Sequence, residues 1–260
     1  MFVFVLAVVF KLCTIQFVQG DAYRALAEKS RSKNFEIPAN RGNVYSADGS
    51  LLATSIPKYD IRIDAIKIGM LGDAQIIDCV AQSISGLDCP VVLDPVMVAK
   101  GGDRLLQQEA VSALRSLLPQ ATLITPNLPE AADILDCDEA STTREMQAQA
   151  QALLDLGPEA VLLKGGHLGG ADSPDLLLTR KGGEEVWFKS PRVATKNTHG
   201  TGCTYASALA TYLGAGLALE EAARRAKAYI SASIAAADQL HVGSGHGPVH
   251  HFHFLKDSTQ

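Results

Sequence analysis

The stretch Val91-Val92-Leu93-Asp94-Pro95-Val96-Met97 decides the fold class of this chain. Its apolar run is too short for a helix and is closed by an acidic residue and a proline, which together predict a short, fully buried strand. Segments with helical patterns lie on both sides of it, over residues 73–85 and 105–118. A buried strand between two helices is typical of a parallel sheet with helices packed against it.

The alternation of strand and helix continues towards the C-terminus. Further strands are predicted over residues 121–125, 160–164, 176–179 and 185–189, and further helices over residues 129–135, 142–156, 201–213 and 219–240. This order predicts an α/β fold with a doubly wound, mostly parallel sheet that helices cover on both faces. Ligands of such sheets bind at the carboxyl ends of the strands, so the polar residues that follow each strand are the candidate site residues.

Composition and charge limit the possible classes of protein. The 260 residues are 47% hydrophobic, which supplies a sizeable core and excludes general disorder. The net charge of -5 argues against a nucleic-acid binder that works through a basic surface. This charge is uneven, because residues 1–64 carry +2 and the remainder carries -7. Five cysteines without a C-x-x-C pair indicate neither a disulfide framework nor a zinc site, so a reducing, cytoplasmic compartment is expected for most of the chain.

The N-terminal segment differs from the rest. Residues 2–18 are an almost continuous apolar run, near the lower length limit for a membrane-spanning helix, with a signal peptide as the alternative. The pair Asp48-Gly49 between two apolar runs predicts a hairpin turn. The pattern from Arg41 to Ser55, behind such an anchor, resembles the start of class B penicillin-binding proteins. That resemblance covers residues 1–60 and ends before the family's nucleophile motif, so it implies no transpeptidase activity.

A glycine-rich turn stands directly before a predicted helix in the stretch from Lys196 to Thr204, which reads K-N-T-H-G-T-G-C-T. The N–H groups of a first helical turn have no partner in the helix, and the helix dipole favours an anion there. Residues 200–203 can therefore form an anion hole for a transferring phosphoryl group. A tight loop before a helix of small residues is the alternative that this stretch leaves open.

Cys203 lies in the first turn of the same predicted helix. The helix dipole stabilises a thiolate at this position, and a thiolate could act as general base for an alcohol substrate. A buried structural cysteine is the alternative, and it is the commoner role of a lone cysteine.

Polar residues follow three of the predicted strands. Asp94 follows the first, Asn127 and Glu130 follow the next, and Lys164 ends the third. Carboxylate and amide oxygens at neighbouring strand ends can hold Mg²⁺, mostly through waters, and the lysine could reach a nucleotide phosphate. Taken one by one, each residue could instead cap a helix or lie in a solvated turn.

Together, six motifs resemble the hydroxymethylpyrimidine/phosphomethylpyrimidine kinase family of the ribokinase-like superfamily, over residues 61–254. The motifs are K-I-G-M-L (67–71), V-V-L-D-P-V-M (91–97), L-I-T-P-N-L-P-E (123–130), L-L-K-G-G-H (162–167), K-N-T-H-G-T-G-C-T (196–204) and G-P-V-H-H-F-H (247–253). The resemblance implies ATP-dependent phosphorylation of 4-amino-5-hydroxymethyl-2-methylpyrimidine, and then of its monophosphate, in thiamine biosynthesis. It also implies Mg²⁺ as a cofactor and a homodimer.

The same resemblance implies a role for each matching residue. Cys203 matches the catalytic base, and the anion hole is matched by Gly200, Thr201 and Gly202. Asn127 and Glu130 match the N-x-x-E magnesium motif. Contacts to the nucleotide, its phosphates and the metal are implied for Lys164, Asp94 and Thr198, and contacts to the pyrimidine for Met70 and Val96. The histidines at 250, 251 and 253 match a C-terminal tail typical of the family, which is a simpler explanation than a metal site.

The chain departs from the family at its start. The opening strand and G-x-D-P-S-G-G-A-G loop of that family have no counterpart, so an N-terminally truncated kinase domain over residues 61–260 is expected behind an apolar helix (1–20) and a leader segment (21–60). The alternatives are a pyridoxal kinase-like vitamin kinase, an inactive membrane-associated fragment that contacts the membrane through residues 2–18, and a chimeric gene model.

Overall fold

The computed structural model describes residues 63–97, 110–183, 185–241, 243 and 245–255, together with the backbone of residues 44–45 and 51–53. The chain divides into two compact units, Met1–Ile61 and Arg62–Gln260. The predicted apolar helix over residues 2–18 lies outside the described residues. Within the described ranges, no helix is long and apolar enough to cross a membrane.

The described part of the first unit is a pair of short strands. β1 (Val44–Tyr45) runs antiparallel to β2 (Leu51–Ala53), with Val44 opposite Ala53. The Asp48-Gly49 pair, predicted to form the turn, lies between these strands in a segment that the structure does not describe. The antiparallel pairing is the one that a hairpin turn at this pair predicts.

The second unit is built on a six-stranded sheet whose strands follow one another in chain order. These strands are β3 (Ile66–Ile68), β4 (Val91–Leu93), β5 (Leu123–Ile124), β6 (Ala160–Lys164), β7 (Asp172–Thr179) and β8 (Glu185–Pro191). The pairs from β3 to β6 are parallel, and β7 and β8 are antiparallel to their neighbours. The predicted mostly parallel α/β sheet is therefore confirmed.

The helices that connect the parallel strands all pack on one face of the sheet. They are α1 (Ala74–Ile84), α2 (Val111–Leu117) with a 3₁₀ turn after it (Leu118–Gln120), α3 (Leu128–Leu135) and α4 (Thr143–Asp155). Their buried side chains form one core with side chains of the strands, among them Leu93 and Leu163.

The other face is covered by the two C-terminal helices, α5 (Thr201–Gly214) and α6 (Leu219–Ala235). Val92 and Leu162 point to this side and pack with Leu209 of α5 and Ile230 of α6. The second face is therefore covered by a helix pair that follows the last strand, and not by crossover helices. The reason lies in the link between β6 and β7, which is too short to hold a crossover helix, so β7 turns back antiparallel.

Side-chain caps set the starts of α1 and α4. The Asp73 carboxylate accepts a hydrogen bond from the Ile76 N–H at 2.9 Å and begins α1. Thr142 begins α4 through a capping box in which the Glu145 side chain accepts from the Thr142 N–H. Gly200, at φ 79°, precedes α5 in a left-handed conformation that glycine adopts without strain.

Two predicted boundaries differ from the structure, and a third lies outside the described residues. The helix predicted over residues 219–240 ends at Ala235, and a separate 3₁₀ turn follows (Ala237–Gln239). β7 begins at Asp172, earlier than the predicted residue 176. The helix predicted over residues 105–118 is described only from Val111, because residues 98–109 lie outside the described part.

Candidate functional site

The carboxylate of Asp94 is the centre of the site at the carboxyl ends of the parallel strands. It is buried and accepts two hydrogen bonds on Oδ1, one from Lys164 Nζ at 3.0 Å and one from Thr125 Oγ1 at 3.0 Å. Asp94 lies two residues after Val92, and Lys164 two residues after Leu162. Because side chains alternate along a strand, both groups point to the face that α5 and α6 cover.

A second ammonium group lies on the other side of the same carboxylate. Lys67, the middle residue of β3, places its Nζ 3.9 Å from Asp94 Oδ2. Oδ2 is itself buried and makes no hydrogen bond within the described residues. A carboxylate oxygen without a hydrogen bond is costly to bury, so it is a natural position for a cation or a protonated ligand group. The sequence shows Lys67 only as part of the motif K-I-G-M-L, with no role of its own.

Asn127 and Glu130 form a capping box at the start of α3. The Glu130 N–H donates to Asn127 Oδ1 at 2.8 Å, and the Asn127 N–H donates to Glu130 Oε2 at 2.7 Å. The direct role of the N-x-x-E spacing is therefore to cap the start of α3. It also holds the Glu130 carboxylate, whose Oε2 lies 4.0 Å from Lys164 Nζ, at the edge of the site.

Burial and neighbouring charges set the protonation of this cluster. Burial raises the pKa of Glu130 from 4.5 to about 7, against the lowering effect of the Lys164 charge and of the Asn127 N–H. Burial lowers the pKa of Lys164, but the charges of Asp94 and Glu130 outweigh it and raise that pKa above its ordinary value. The lysine is thus firmly protonated between two acidic groups, one of which can change its charge near neutral pH.

The glycine-rich turn meets this cluster at Gly202. A methyl group added to Gly202 would lie 3.4 Å from Lys164 Nζ and 3.8 Å from Asp94 Oδ2. The first main-chain bond of α5 runs from the Thr204 N–H to the Gly200 carbonyl at 2.9 Å. The N–H groups of Gly202 and Cys203 precede that bond and have no helical partner. The start of α5 therefore presents free N–H groups beside a lysine and a carboxylate.

The predicted base and its neighbours lie around this turn. Cys203 is an exposed free thiol in the first turn of α5. The Thr201 hydroxyl donates to the Thr198 carbonyl at 2.8 Å, which closes the turn on itself. Thr198 contributes its main chain to the turn in this way.

A cavity of about 540 Å³ opens beside the glycine-rich turn. Its lining residues include Thr195, Lys196, Asn197, Asp238 and His241. Asp238 Oδ1 accepts from Asn197 Nδ2 at 2.8 Å and also from the Thr195 hydroxyl, so the 3₁₀ turn after α6 is tied to the loop before α5. The sequence analysis missed this cavity, because its residues come from two separate loops that only the folded chain brings together.

The C-terminal tail completes the wall of the site. The Gly247 N–H donates to Asn197 Oδ1 at 3.0 Å, and the Gly247 carbonyl accepts from the His199 N–H at 3.0 Å. A methyl group on Gly247 would lie 2.4 Å from Asn197 Oδ1, so this close approach requires glycine. Within the described residues, no group of three or more His, Cys, Asp or Glu side chains could hold a metal ion, the histidines of this tail included.

The two predicted pyrimidine contacts lie at the same edge of the sheet. Met70 follows β3 and is 62% exposed, and Val96 follows β4 and is half-buried. Their backbones are adjacent because β3 and β4 pair in parallel register, Ile68 with Leu93. The structure therefore brings all the predicted site residues to one end of the sheet.

A phosphomethylpyrimidine kinase family model matches residues 46–250 of the chain. The hydroxymethylpyrimidine/phosphomethylpyrimidine kinase of Salmonella typhimurium is 52% identical over 215 residues, which cover 81% of this chain and 80% of that relative. This chain belongs to the phosphomethylpyrimidine kinase family. The kinase activity predicted from the six motifs is confirmed by this membership, and the ribokinase-like α/β fold agrees with it.

Solved structures of pyridoxal kinases resemble this family member as well. The Bacillus subtilis pyridoxal kinase in complex with ADP is 36% identical, with a TM-score of 0.68, over 75% of this chain and 72% of that one. The Staphylococcus aureus pyridoxal kinase with AMP-PCP and pyridoxal is 30% identical, with a TM-score of 0.67, over 75% of this chain and 69% of that one. Both relatives are nucleotide-binding kinases of small molecules.

The match to the kinase family begins before the predicted junction. It starts at residue 46, within the segment that the sequence analysis assigned to a penicillin-binding-protein-like leader. None of these relatives supports the penicillin-binding-protein resemblance of residues 1–60.

Proposed function

We propose that the protein transfers the γ-phosphoryl group of ATP to the hydroxymethyl group of 4-amino-5-hydroxymethyl-2-methylpyrimidine, and then phosphorylates the monophosphate, in thiamine biosynthesis. The observation that carries this proposal is the position of Gly202 at the start of α5, where an added Cβ would lie 3.4 Å from Lys164 Nζ and 3.8 Å from Asp94 Oδ2. An anion-binding helix start, the Lys164 ammonium and the Asp94 Oδ2 atom, which makes no hydrogen bond in the described residues, lie together at this position. The relative with 52% identity is named for these two substrates.

Cys203 acts as the catalytic base in this proposal. Its exposed thiol lies in the first turn of α5, beside the N–H groups that would receive the phosphoryl group. The thiolate takes the proton of the substrate hydroxyl while the hydroxyl oxygen forms a bond to the γ-phosphorus. The bond from that phosphorus to the β,γ-bridging oxygen breaks, and ADP leaves.

The turn at residues 200–203 receives the transferring phosphoryl group, chiefly through the N–H groups of Gly202 and Cys203, since the Thr201 N–H donates to the Thr198 carbonyl at 3.4 Å. These two groups are fixed by the fold before the substrate arrives, so they stabilise the developing negative charge without reorganising. Lys164 and Thr198, on either side of the turn, bind the nucleotide phosphates, and the cavity of about 540 Å³ holds the base and ribose of the nucleotide. Met70 and Val96 line the pyrimidine pocket.

The acidic groups of the site fit a magnesium ion. Asp94 Oδ2 is a buried oxygen without a hydrogen-bond partner in the described residues, and Glu130 is a second buried carboxyl group at the same edge. Mg²⁺ takes one or two carboxylates and otherwise waters and phosphate oxygens, so this donor set suits it. Bound there, the ion would neutralise phosphate charge. Asn127, whose side chain caps α3, would position Glu130 and not bind the ion directly.

Release of ADP tests the proposed function. The full chain given ATP, Mg²⁺ and the hydroxymethylpyrimidine is expected to release ADP in a coupled assay, and Cys203→Ala is expected to lose nearly all of this activity. No release above that of Cys203→Ala would overturn the proposed activity.

A pyridoxal kinase is the second candidate, because the solved pyridoxal kinases share the fold at TM-scores of 0.68 and 0.67. The ratio of kcat/KM for the hydroxymethylpyrimidine and for pyridoxal separates the two candidates. A ratio above one supports the pyrimidine kinase, and a ratio below one supports the pyridoxal kinase.

Two further proposals concern the oligomeric state of the protein and its location in the cell. We infer a homodimer and a cytoplasmic kinase domain, with the segment 1–60 as a leader that contacts the membrane through residues 2–18. Analytical ultracentrifugation and membrane fractionation of the full chain test the two predictions. A chain that pellets with membranes and binds no nucleotide would indicate the inactive fragment instead, and sequencing of genomic DNA across codons 55–70 tests for a chimera.

A further inference from the structure

A second buried ion pair lies behind the site, and the proposed chemistry does not use it. Lys227 of α6 donates from its Nζ to Asp175 Oδ2 at 2.7 Å and to the Ser173 carbonyl at 2.9 Å. The side chains are 11% and 3% exposed, respectively. A buried ion pair is expensive to desolvate and contributes little net stability, so a pair in this position calls for another explanation.

Asp175 is the cross-strand neighbour of the lysine in the site. In the antiparallel pair of β6 and β7, Lys164 lies directly opposite Asp175. Residues opposite each other point to the same face of a sheet, and here that face carries α5 and α6. The charge of Asp175 also contributes to the raised pKa of Lys164.

The main chain just after Lys164 is held by Asp175 as well. The Gly165 N–H donates to Asp175 Oδ1 at 3.1 Å and to the Pro174 carbonyl at 2.9 Å. A methyl group on Gly165 would lie 2.2 Å from that carbonyl oxygen, so glycine is required for β7 to approach this closely. One oxygen of Asp175 thus fixes the backbone next to Lys164, while Lys227 fixes the other oxygen.

The helix that carries the anion hole touches the same cluster. The Tyr205 hydroxyl, two residues after Cys203, is buried close to the Asp175 carboxylate. Burial and the nearby Asp175 charge raise the pKa of Tyr205 well above its ordinary value, so the phenol stays neutral beside the carboxylate. Asp175 therefore lies among β6, α5 and α6, the elements that carry or support the site.

We propose that Asp175 is a positioning residue: held by Lys227, it fixes the Gly165 backbone and thereby the ammonium group of Lys164 for the nucleotide phosphates. This inference rests on the proposed role of Lys164 as a nucleotide contact. The Asp175 side chain is only 3% exposed, so we expect its effect on the nucleotide to pass through Lys164.

A double-mutant cycle on nucleotide affinity tests this positioning role. The dissociation constant of a non-hydrolysable ATP analogue is measured by calorimetry for the full chain, for Asp175→Asn, for Lys164→Ala and for the double variant. Asp175→Asn is expected to weaken binding about tenfold, as the loss of a charge-assisted contact does. In the double variant, Asp175→Asn is expected to add nothing to the effect of Lys164→Ala, because the group that it positions is gone.

A matched control separates positioning from general loss of packing. Gln149 on α4 is also buried and donates to the Asp138 carbonyl at 2.7 Å, away from the Gly165 backbone. Gln149→Leu is expected to lower the melting temperature without changing the dissociation constant. Should Asp175→Asn alone fail to fold, the charge-neutral variant Asp175→Asn/Lys227→Met takes its place in the cycle.

Three results would overturn the inference. The first is a double variant whose dissociation constant rises by the product of the two single-variant factors. The second is an unchanged dissociation constant in Asp175→Asn. The third is a wild-type chain that binds no nucleotide. A wild-type chain that binds the analogue but does not phosphorylate the pyrimidine would contradict the proposed function alone, and the cycle would still support the positioning role.

Discussion

At the scale of single residues, the site depends on three charged groups whose protonation the fold controls. Asp94 and Glu130 flank the ammonium of Lys164, and burial keeps the Glu130 carboxyl partly protonated near neutral pH. All three follow strands that are separated along the sequence. Their meeting could be predicted because the carboxyl ends of parallel strands lie at one edge. The second ammonium, of Lys67, could not be assigned, since only the folded distance of 3.9 Å to Asp94 brings it to the site.

Glu130 makes stability depend on pH in metal-free buffer. Its pKa is 4.5 in the unfolded chain and about 7 in the fold, so the folded state holds a proton that the unfolded state has lost between these values. Stability therefore falls as pH rises from 4.5 to about 7 and is level above that. Glu130→Gln keeps the acceptor of the capping box but does not titrate. As the pH rises from 4.5 to about 7, the free energy of unfolding of this variant is expected to increase by roughly 3 kcal/mol relative to the wild type. Urea unfolding in buffer with EDTA measures it. An equal pH dependence in both proteins would contradict the shifted pKa.

Substitution of Gly202 by alanine is expected to lower activity without lowering stability. Its φ is not in the left-handed region, and alanine is the better helix former, so Gly202→Ala is expected to keep or raise the melting temperature. The added methyl would lie 3.4 Å from Lys164 Nζ, in the space proposed for the phosphoryl group. We expect kcat to fall by at least about tenfold, equivalent to one lost transition-state contact. Gly169→Ala, where a methyl group meets nothing within 4 Å, is the control for kcat. Unchanged kcat in Gly202→Ala would contradict the anion hole.

At the scale of elements, helix starts were the most predictable features and loop contacts the least. The starts of α1 and α4 were predicted to within one residue, because a short polar side chain before a helical pattern caps the helix locally. The early start of β7 could not, since Pro174 argues against a strand interior. In the structure, Pro174 lies beyond the last pair of β6 and β7, where its missing N–H breaks no bond of the ladder. The cavity beside the glycine-rich turn joins residues 194–197 to residues 238–245, and no sequence pattern links those two loops.

Both α3 and α4 begin with a capping box, but removal of the cap is expected to change the Mg²⁺ dependence of activity only at α3. Thr142→Ala and Asn127→Ala each remove a cap and are each expected to lower the free energy of unfolding by about 1 kcal/mol in a urea titration. Only the α3 box also holds a carboxyl group of the site. We therefore expect Asn127→Ala to raise the Mg²⁺ concentration needed for half-maximal activity and Thr142→Ala to leave it unchanged. An equal Mg²⁺ dependence in both variants would contradict a role of Asn127 and Glu130 in binding the metal.

At the scale of the whole molecule, ligands connect the site to the stability of the second unit. The proposed nucleotide site is formed by the ends of β4 and β6, the start of α5 and the tail after α6, so a bound nucleotide would hold the strand ends and the C-terminal helices together. A ligand that binds only the folded state at 100 times its dissociation constant adds about 2.7 kcal/mol to stability. We expect MgATP to raise the melting temperature of the full chain, and Lys164→Ala to show a smaller rise at the same concentration. Equal rises in both proteins would exclude Lys164 from the nucleotide site.

The kinase family membership was predictable over residues 61–254, because six motifs at strand ends and helix starts occur there in the order that the fold requires. The N-terminal segment was not, since its hairpin signal at Asp48-Gly49 fits many folds and the kinase family match extends across part of it to residue 46. The central claim is that the site at the start of α5 phosphorylates the pyrimidine with Cys203 as the base.

Mass spectrometry of the pyrimidine itself is the most direct measurement of that claim. The full chain is incubated with ATP, Mg²⁺ and the hydroxymethylpyrimidine, and the products are followed over time beside Cys203→Ala and Cys203→Ser. The account predicts the monophosphate first and the diphosphate later from the wild type, with nearly none from Cys203→Ala. No phosphorylated pyrimidine from the wild type, or equal rates in the wild type and Cys203→Ala, would contradict it.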